Sequence, residues 1–116
     1  MVINMNKLDD FIGKWQITEI EQYDQFDNED VGYIEFSKNY IGEIYIGCMS
    51  VELDYRFVKD KKGNVVDFTF EGSDECEPIC GRGSVIMVSQ NLIGQLYIHR
   101  GEEIGFIAKR YKIKSA

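Results

Sequence analysis

Gly13-Lys14-Trp15-Gln16-Ile17-Thr18-Glu19-Ile20, followed by Glu21, is the stretch on which the fold turns. Large apolar side chains stand at alternate positions, Trp15 and Ile17, and the β-branched Thr18 and Ile20 suit a pleated strand. Upstream, Asn6-Lys7-Leu8-Asp9-Asp10-Phe11-Ile12 reads as one helical turn capped by Asn6, with Leu8, Phe11 and Ile12 apolar. A short helical plug leading into a strand is the expectation.

Downstream the same grammar repeats. Short runs rich in Ile, Val, Tyr, Phe and Thr alternate with clusters of Gly, Asn, Asp and Lys, and none holds a helical period. The runs predict strands at 13–21, 31–38, 41–47, 50–58, 64–71, 82–89, 92–99 and 103–111. Lys38-Asn39-Tyr40, the segment 59–63 and Gln90-Asn91 are short connectors, which implies hairpins and antiparallel neighbours. Pro78, the only proline, falls in a predicted loop over 72–81. An eight-stranded meander leaves two open edges, and closing it into a barrel removes both; a two-sheet sandwich is the alternative. Closure would put the first and last strands side by side, with the Arg110 guanidinium in reach of the Trp15 ring. The fold class is therefore all-β, an up-and-down barrel with a short N-terminal helical turn. One domain spans 1–116, with a plug at 1–12, the barrel at 13–111 and a tail at 112–116.

Phe11-Ile12-Gly13-Lys14-Trp15 resembles the F-x-G-x-W opening of lipocalins, and avidin-like barrels of about this length also open with G-x-W. In that calycin superfamily the entry helix, the first-strand Trp and a last-strand Arg form a shared signature. The resemblance implies structural roles for Gly13, Trp15 and Arg110. More of the chain is similar to a family of small uncharacterised bacterial proteins: Gly13-x-Trp15-x-Ile17-x-Glu19, Phe68-x-Phe70-Glu71-Gly72-x-Asp74-Glu75, Gly81-Arg82-Gly83, and Phe106-x-Ala108-x-Arg110. That similarity implies no activity. Tyr23 and Phe70 stand where that pattern has Trp, and the cysteines lie outside it.

With 116 residues, 44% hydrophobic and 13% aromatic, the chain is long and apolar enough to bury a core. Residues 1–8 lack the apolar run of a signal peptide, and no stretch approaches the roughly 18 apolar residues of a membrane span. A cytoplasmic protein is expected. The odd set Cys48, Cys76 and Cys80 then reads as free thiols. A net charge of −7 repels nucleic acid and anionic lipid, so neither is an expected partner.

The meander gathers the odd-numbered connectors at the end opposite Trp15. That open end is acidic, with Asp24, Asp27, Glu29, Asp30, Glu71, Asp74, Glu75, Glu77, Glu102 and Glu103, while Lys38, Lys59, Lys61, Lys62, Lys109, Arg110, Lys112 and Lys114 gather at the other. An acidic open end steers cationic ligands or a basic protein partner toward it. Glu19 and Glu21 share the phase of Trp15, and a small barrel holds inward carboxylates only where they are wet or paired. Glu19, Tyr23, Arg82, Tyr97 and His99 are the expected ligand-binding residues, with Arg56 beside them, around a cavity taking a small polar molecule. Cys48, Cys76, Cys80 and His99 make a conceivable zinc set, and Asp24, Asp27 and Asp30, or Asp74, Glu75 and Glu77, a calcium set without EF-hand spacing. Neither is backed, and no metal or cofactor is predicted. Ser73, Ser84 and Ser89 lie in no nucleophile elbow, and His99 has no evident base or nucleophile beside it. The expectation is a binding module, the alternative a solid barrel whose acidic surface docks a partner. Oligomeric state is left open.

Overall fold

The computed structural model describes residues 8–21, 32–60 and 63–110. A helical turn, α1 (Leu8–Phe11), precedes β1 (Gly13–Ile20), β2 (Gly32–Phe36), a 3-10 turn at Lys38–Tyr40, β3 (Ile41–Ile46), β4 (Met49–Asp60), β5 (Gly63–Asp74), β6 (Glu77–Val88), β7 (Asn91–Ile98) and β8 (Glu103–Arg110). Each strand pairs antiparallel with the next, and β8 pairs with β1, so the sheet closes as a barrel. The eight strands and their meander order are those expected. Closure leaves the barrel without the two long edges of an open sheet.

Strand alternation puts Ile34, Phe36, Val51, Leu53, Tyr55, Val66, Phe68, Phe70, Leu92, Leu96 and Phe106 inside, all buried. Among the described residues no buried side chain is polar or charged apart from the tyrosine hydroxyl of Tyr55, which donates to Ser37 O at 2.5 Å. Each large apolar side chain taken from water contributes on the order of 1.5–3 kcal/mol, so this interior carries most of the stability.

Three glycines let the rings in. Gly81, Gly83 and Gly94 face inward opposite Phe70, Phe68 and Phe106 on the neighbouring strands. A Cβ at Gly81 would stand 2.7 Å from Phe70 Cζ, one at Gly83 2.6 Å from Phe68 Cζ, and one at Gly94 2.6 Å from Phe106 Cε1. The rings lie over bare backbone and fill the barrel there. The Gly81-Arg82-Gly83 segment is thus a packing device, and Arg82 between its glycines points outward.

The N-terminal end is sealed as the first stretch foretold. Trp15 and Arg110 are register partners across the closure, and the Arg110 guanidinium lies 3.9 Å from the Trp15 ring centroid. Arg110 Nη1 donates to Ile12 O at 2.9 Å and Nη2 to Asp10 O at 2.6 Å, while Trp15 Nε1 donates to Phe11 O at 2.9 Å. Phe11 is fully buried against the edge of Phe57 at 5.8 Å. Gly13 has φ +120°, and a Cβ there would come 2.8 Å from Arg110 Nη1. The expected cap Asn6 lies outside the described residues.

Two expectations need correction. The predicted loop over 72–81 is mostly strand: β5 and β6 run on to a two-residue turn at Glu75-Cys76, and Pro78 sits in β6 opposite Ser73. Proline is tolerated because β7 pairs with β6 only from Gly81 onward, so Pro78 lies on a free edge. Glu19 and Glu21 do not share the phase of Trp15. The β1–β8 register pairs Ile17 with Ala108 but Glu19 with Ile107, a bulge that takes up Thr18, whose Oγ1 meets Ile107 O at 3.3 Å. The extra residue flips the phase, so Ile20 is buried and both glutamates are exposed.

Candidate functional site

Outside the barrel, register sorts the polar side chains into rows. Lys14 pairs with Glu35, Glu35 with Glu43, Glu43 with Glu52, Glu52 with Glu71, and Glu71 with Cys80. Four glutamates therefore stand side by side on β2, β3, β4 and β5. Like charges directly opposite each other on a sheet repel, at a cost of a few tenths to about 1 kcal/mol per pair. Glu43 is held from the side: the Tyr33 hydroxyl donates to its Oε1 at 2.9 Å, and the Tyr33 ring stacks on Tyr45 at 5.3 Å with Lys14 Nζ 4.1 Å from its centroid. Burial first, and the Glu43 carboxylate next, push the Tyr33 phenol up to about 12. Glu52 and Glu71 are exposed and have no ion-pair or hydrogen-bond partner among the described residues.

The next row runs Asp54, Thr69, Arg82, Tyr97 and Glu103, again through successive register pairs. The Arg82 guanidinium lies 5.3 Å from the Tyr97 ring centroid and has no carboxylate partner among the described residues. Arg56, one step along β4 from this row, pairs with Asp54 and stands 5.6 Å from the Tyr40 ring. Between the rows runs a solvent-open groove of about 1090 Å³, walled by Glu52 and Glu71 on one side and Arg82 and Tyr97 on the other, with Tyr40 and His99 at its ends.

Of the expected ligand-binding residues, Arg82, Tyr97 and His99 come together in this groove. They do so on the outer wall, not around an interior cavity. Glu19 lies apart on β1, and Tyr23 falls outside the described residues. The expected grouping of Glu19 with Arg56, Arg82 and His99 inside the barrel is not formed. His99 N donates to Cys80 O at 2.8 Å, but among the described residues no three His, Cys, Asp or Glu side chains converge as a metal site. Cys48, Cys76 and Cys80 are free and exposed. Asp24, Asp27, Glu29 and Asp30 of the acidic end lie outside the described residues, whereas Glu75, Glu77, Glu102 and Glu103 are exposed there as expected.

The glutamate row is the feature that sequence reasoning missed. Its members are spread over 35–71, and they align only once the turns are placed.

Fold and wall together define a small closed up-and-down β-barrel with a glutamate-lined outer groove, an architecture compatible with a calycin-like barrel. Comparison with protein-family models, curated proteins and solved structures finds no match to this chain. No helix among the described residues is long and apolar enough to cross a membrane.

Proposed function

We propose that this protein is a calycin-like binding module that works by recognition, and that its ligand is cationic: a basic, extended segment of a partner protein docked on the outer wall across β2 to β5. The observation that carries this reading is the row Glu35, Glu43, Glu52 and Glu71, in which neighbouring carboxylates face one another in register. The sheet bears this repulsion when unliganded, and a lysine- or arginine-rich segment crossing the strands relieves it. A groove beside the row, with Tyr40, Tyr97 and His99 on its rim, offers aromatic surface to the cationic side chains. Arg82 sets direction in the groove, since it attracts an acidic or carboxylate group flanking the basic run.

A small polar molecule inside the barrel finds less support. The described interior is apolar, with Phe68, Phe70 and Phe106 laid over glycines, and the polar candidates face out. Three exposed free thiols suit a reducing, cytoplasmic setting.

The test is a titration with a fluorescent oligolysine peptide at low salt. Binding that weakens steeply with added salt, and at least tenfold in the Glu52→Gln/Glu71→Gln protein, supports the reading. Affinity indifferent to those two substitutions counts against it.

A further inference from the structure

Past Glu71 the acidic row ends. Its next member is Cys80 on β6, and His99, whose N donates to Cys80 O at 2.8 Å, stands beyond that. The charge in the groove changes sign at the same point. Arg82, two residues along β6 from Cys80, is exposed, and its guanidinium lies 5.3 Å from the ring centroid of Tyr97, its register partner on β7. It forms no ion pair with Glu71, although the two are diagonal neighbours across β5 and β6. Opposite charges held apart in one groove are the complement of a ligand that carries both in the opposite order.

From this arrangement we infer that the groove recognises the C-terminal end of the basic segment: a final lysine or arginine whose side chain reaches Glu52 and Glu71 and whose α-carboxylate is gripped by Arg82. The inference rests on the proposed cationic ligand and names its end. Strands β5 and β7 are two spacings apart, about 10 Å. A terminal lysine in extended form, with a charge-assisted hydrogen bond of about 2.8 Å at each end, covers that gap with one residue. Arginine suits the task because its planar fork matches a carboxylate through two parallel N–H donors, and stacking on Tyr97 orients the fork while leaving it open to solvent. Arg56, the other arginine in the groove, is engaged by Asp54 and by Tyr55 O at 2.7 Å, whereas Arg82 has no carboxylate among the described residues. A basic run that ends here keeps every glutamate of the row. One that continued would carry its next cation toward Arg82.

Fluorescence anisotropy of the full chain with two N-terminally labelled oligolysine peptides at low salt, one ending in the free acid and one in the carboxamide, tests it. Counted by charge alone the carboxamide, one unit more positive, binds an acidic wall more tightly. The expected result is the reverse order: the free acid binds about threefold tighter or more, and in Arg82→Gln the carboxamide takes the lead. Arg82→Lys, which keeps the charge and loses the fork, keeps only part of the preference. A third peptide, the carboxamide with a glutamate appended before it, separates the two sources of a carboxylate and is expected to lack the advantage of the free acid. Arg82 is exposed, and unchanged far-ultraviolet circular dichroism verifies that its variants fold. With both peptides still weakened by Glu52→Gln/Glu71→Gln, a carboxamide that binds the wild-type chain as tightly as the acid overturns this inference and leaves the cationic ligand standing. So does a preference for the acid that survives in Arg82→Gln. An appended glutamate that equals the free acid assigns Arg82 to a side-chain carboxylate and overturns the C-terminal reading. Indifference of both peptides to Glu52→Gln/Glu71→Gln removes the groove's proposed ligand, and this inference falls with it.

Discussion

Glu52 on β4 and Glu71 on β5 stand directly opposite each other on the outer face, two carboxylates in register with no ion-pair partner among the described residues. Each is also one member of a longer row, so the repulsion is not a single accident of pairing. A wall of this kind is tuned for something other than maximal stability.

Neutralising one member should therefore stabilise the free protein. Glu52→Gln is expected to raise unfolding stability by about a few tenths of a kcal/mol at low salt, read from urea titrations, and added salt should shrink the gain. Loss of stability in Glu52→Gln at low salt would mean that the row is already neutralised in the free chain.

At the sealed end, the Arg110 side chain stacks on Trp15 and donates to two carbonyls of the entry segment. Removing it in Arg110→Ala strands both carbonyls and uncovers the indole, so a loss of about 1–3 kcal/mol is expected. Burial lowers the Arg110 pKa from its ordinary value, an effect opposed by Asp10. Trp15 is the single tryptophan, so its fluorescence reports the same event directly and should shift to the red.

Packing of ring on glycine makes a paired prediction. Gly94→Ala drives a methyl into Phe106 and should cost about 1–3 kcal/mol by overpacking. Phe106→Leu in the same chain should recover part of that loss, because the two residues are in contact and their effects are coupled. Simple addition of the two single losses, measured by thermal unfolding, would show that the ring does not lie over the glycine.

Alkaline pH should loosen the barrel through its tyrosines. The Tyr33 phenol is raised from 10.0 to about 12 by burial and by Glu43, and burial raises Tyr55 as well. Between the unfolded and folded values the unfolded chain has lost a proton that the folded chain retains. The stability that Tyr33 contributes is thus complete below pH 10 and is lost as pH rises toward 12, and Tyr55 acts in the same direction. Tyr33→Phe should flatten that decline and remove the last phase of the tyrosinate absorbance titration.

Gly13-Lys14-Trp15 and the alternation after it made the barrel legible, because apolar periodicity reports directly which face is buried. What failed was phase and turn chemistry. The alternation points Glu19 inward because a bulge leaves no mark in an alternating pattern, and Thr18 looks like any strand residue. The β5–β6 hairpin looks like a loop in the sequence because Glu75-Cys76, with φ 49° and 70°, makes a turn that usually calls for Asn-Gly, and Pro78 and the nearby glycines suggest irregular chain. Ser89-Gln90, with φ 50° and 70°, makes the next turn one residue before the expected Gln90-Asn91 connector. Arg82, Tyr97 and His99 lie near one another because β6 and β7 pair from Gly81 onward, and alternation along the strands sets them on the outer wall rather than around a cavity. The glutamate row needed three hairpin registers at once, and each register depends on a turn the sequence only half declares.

The place where a cation binds is the most direct test of the glutamate groove. Two-dimensional amide spectra of the chain titrated with an oligolysine peptide at low salt should move the signals of Glu43, Glu52, Glu71 and His99 together, along one saturable curve. The signals of Ile86, Ile93 and the interior Leu96 should stay in place. Shifts confined to Leu96, Phe68 and their interior neighbours, or no saturable shift on the glutamate row, would contradict it.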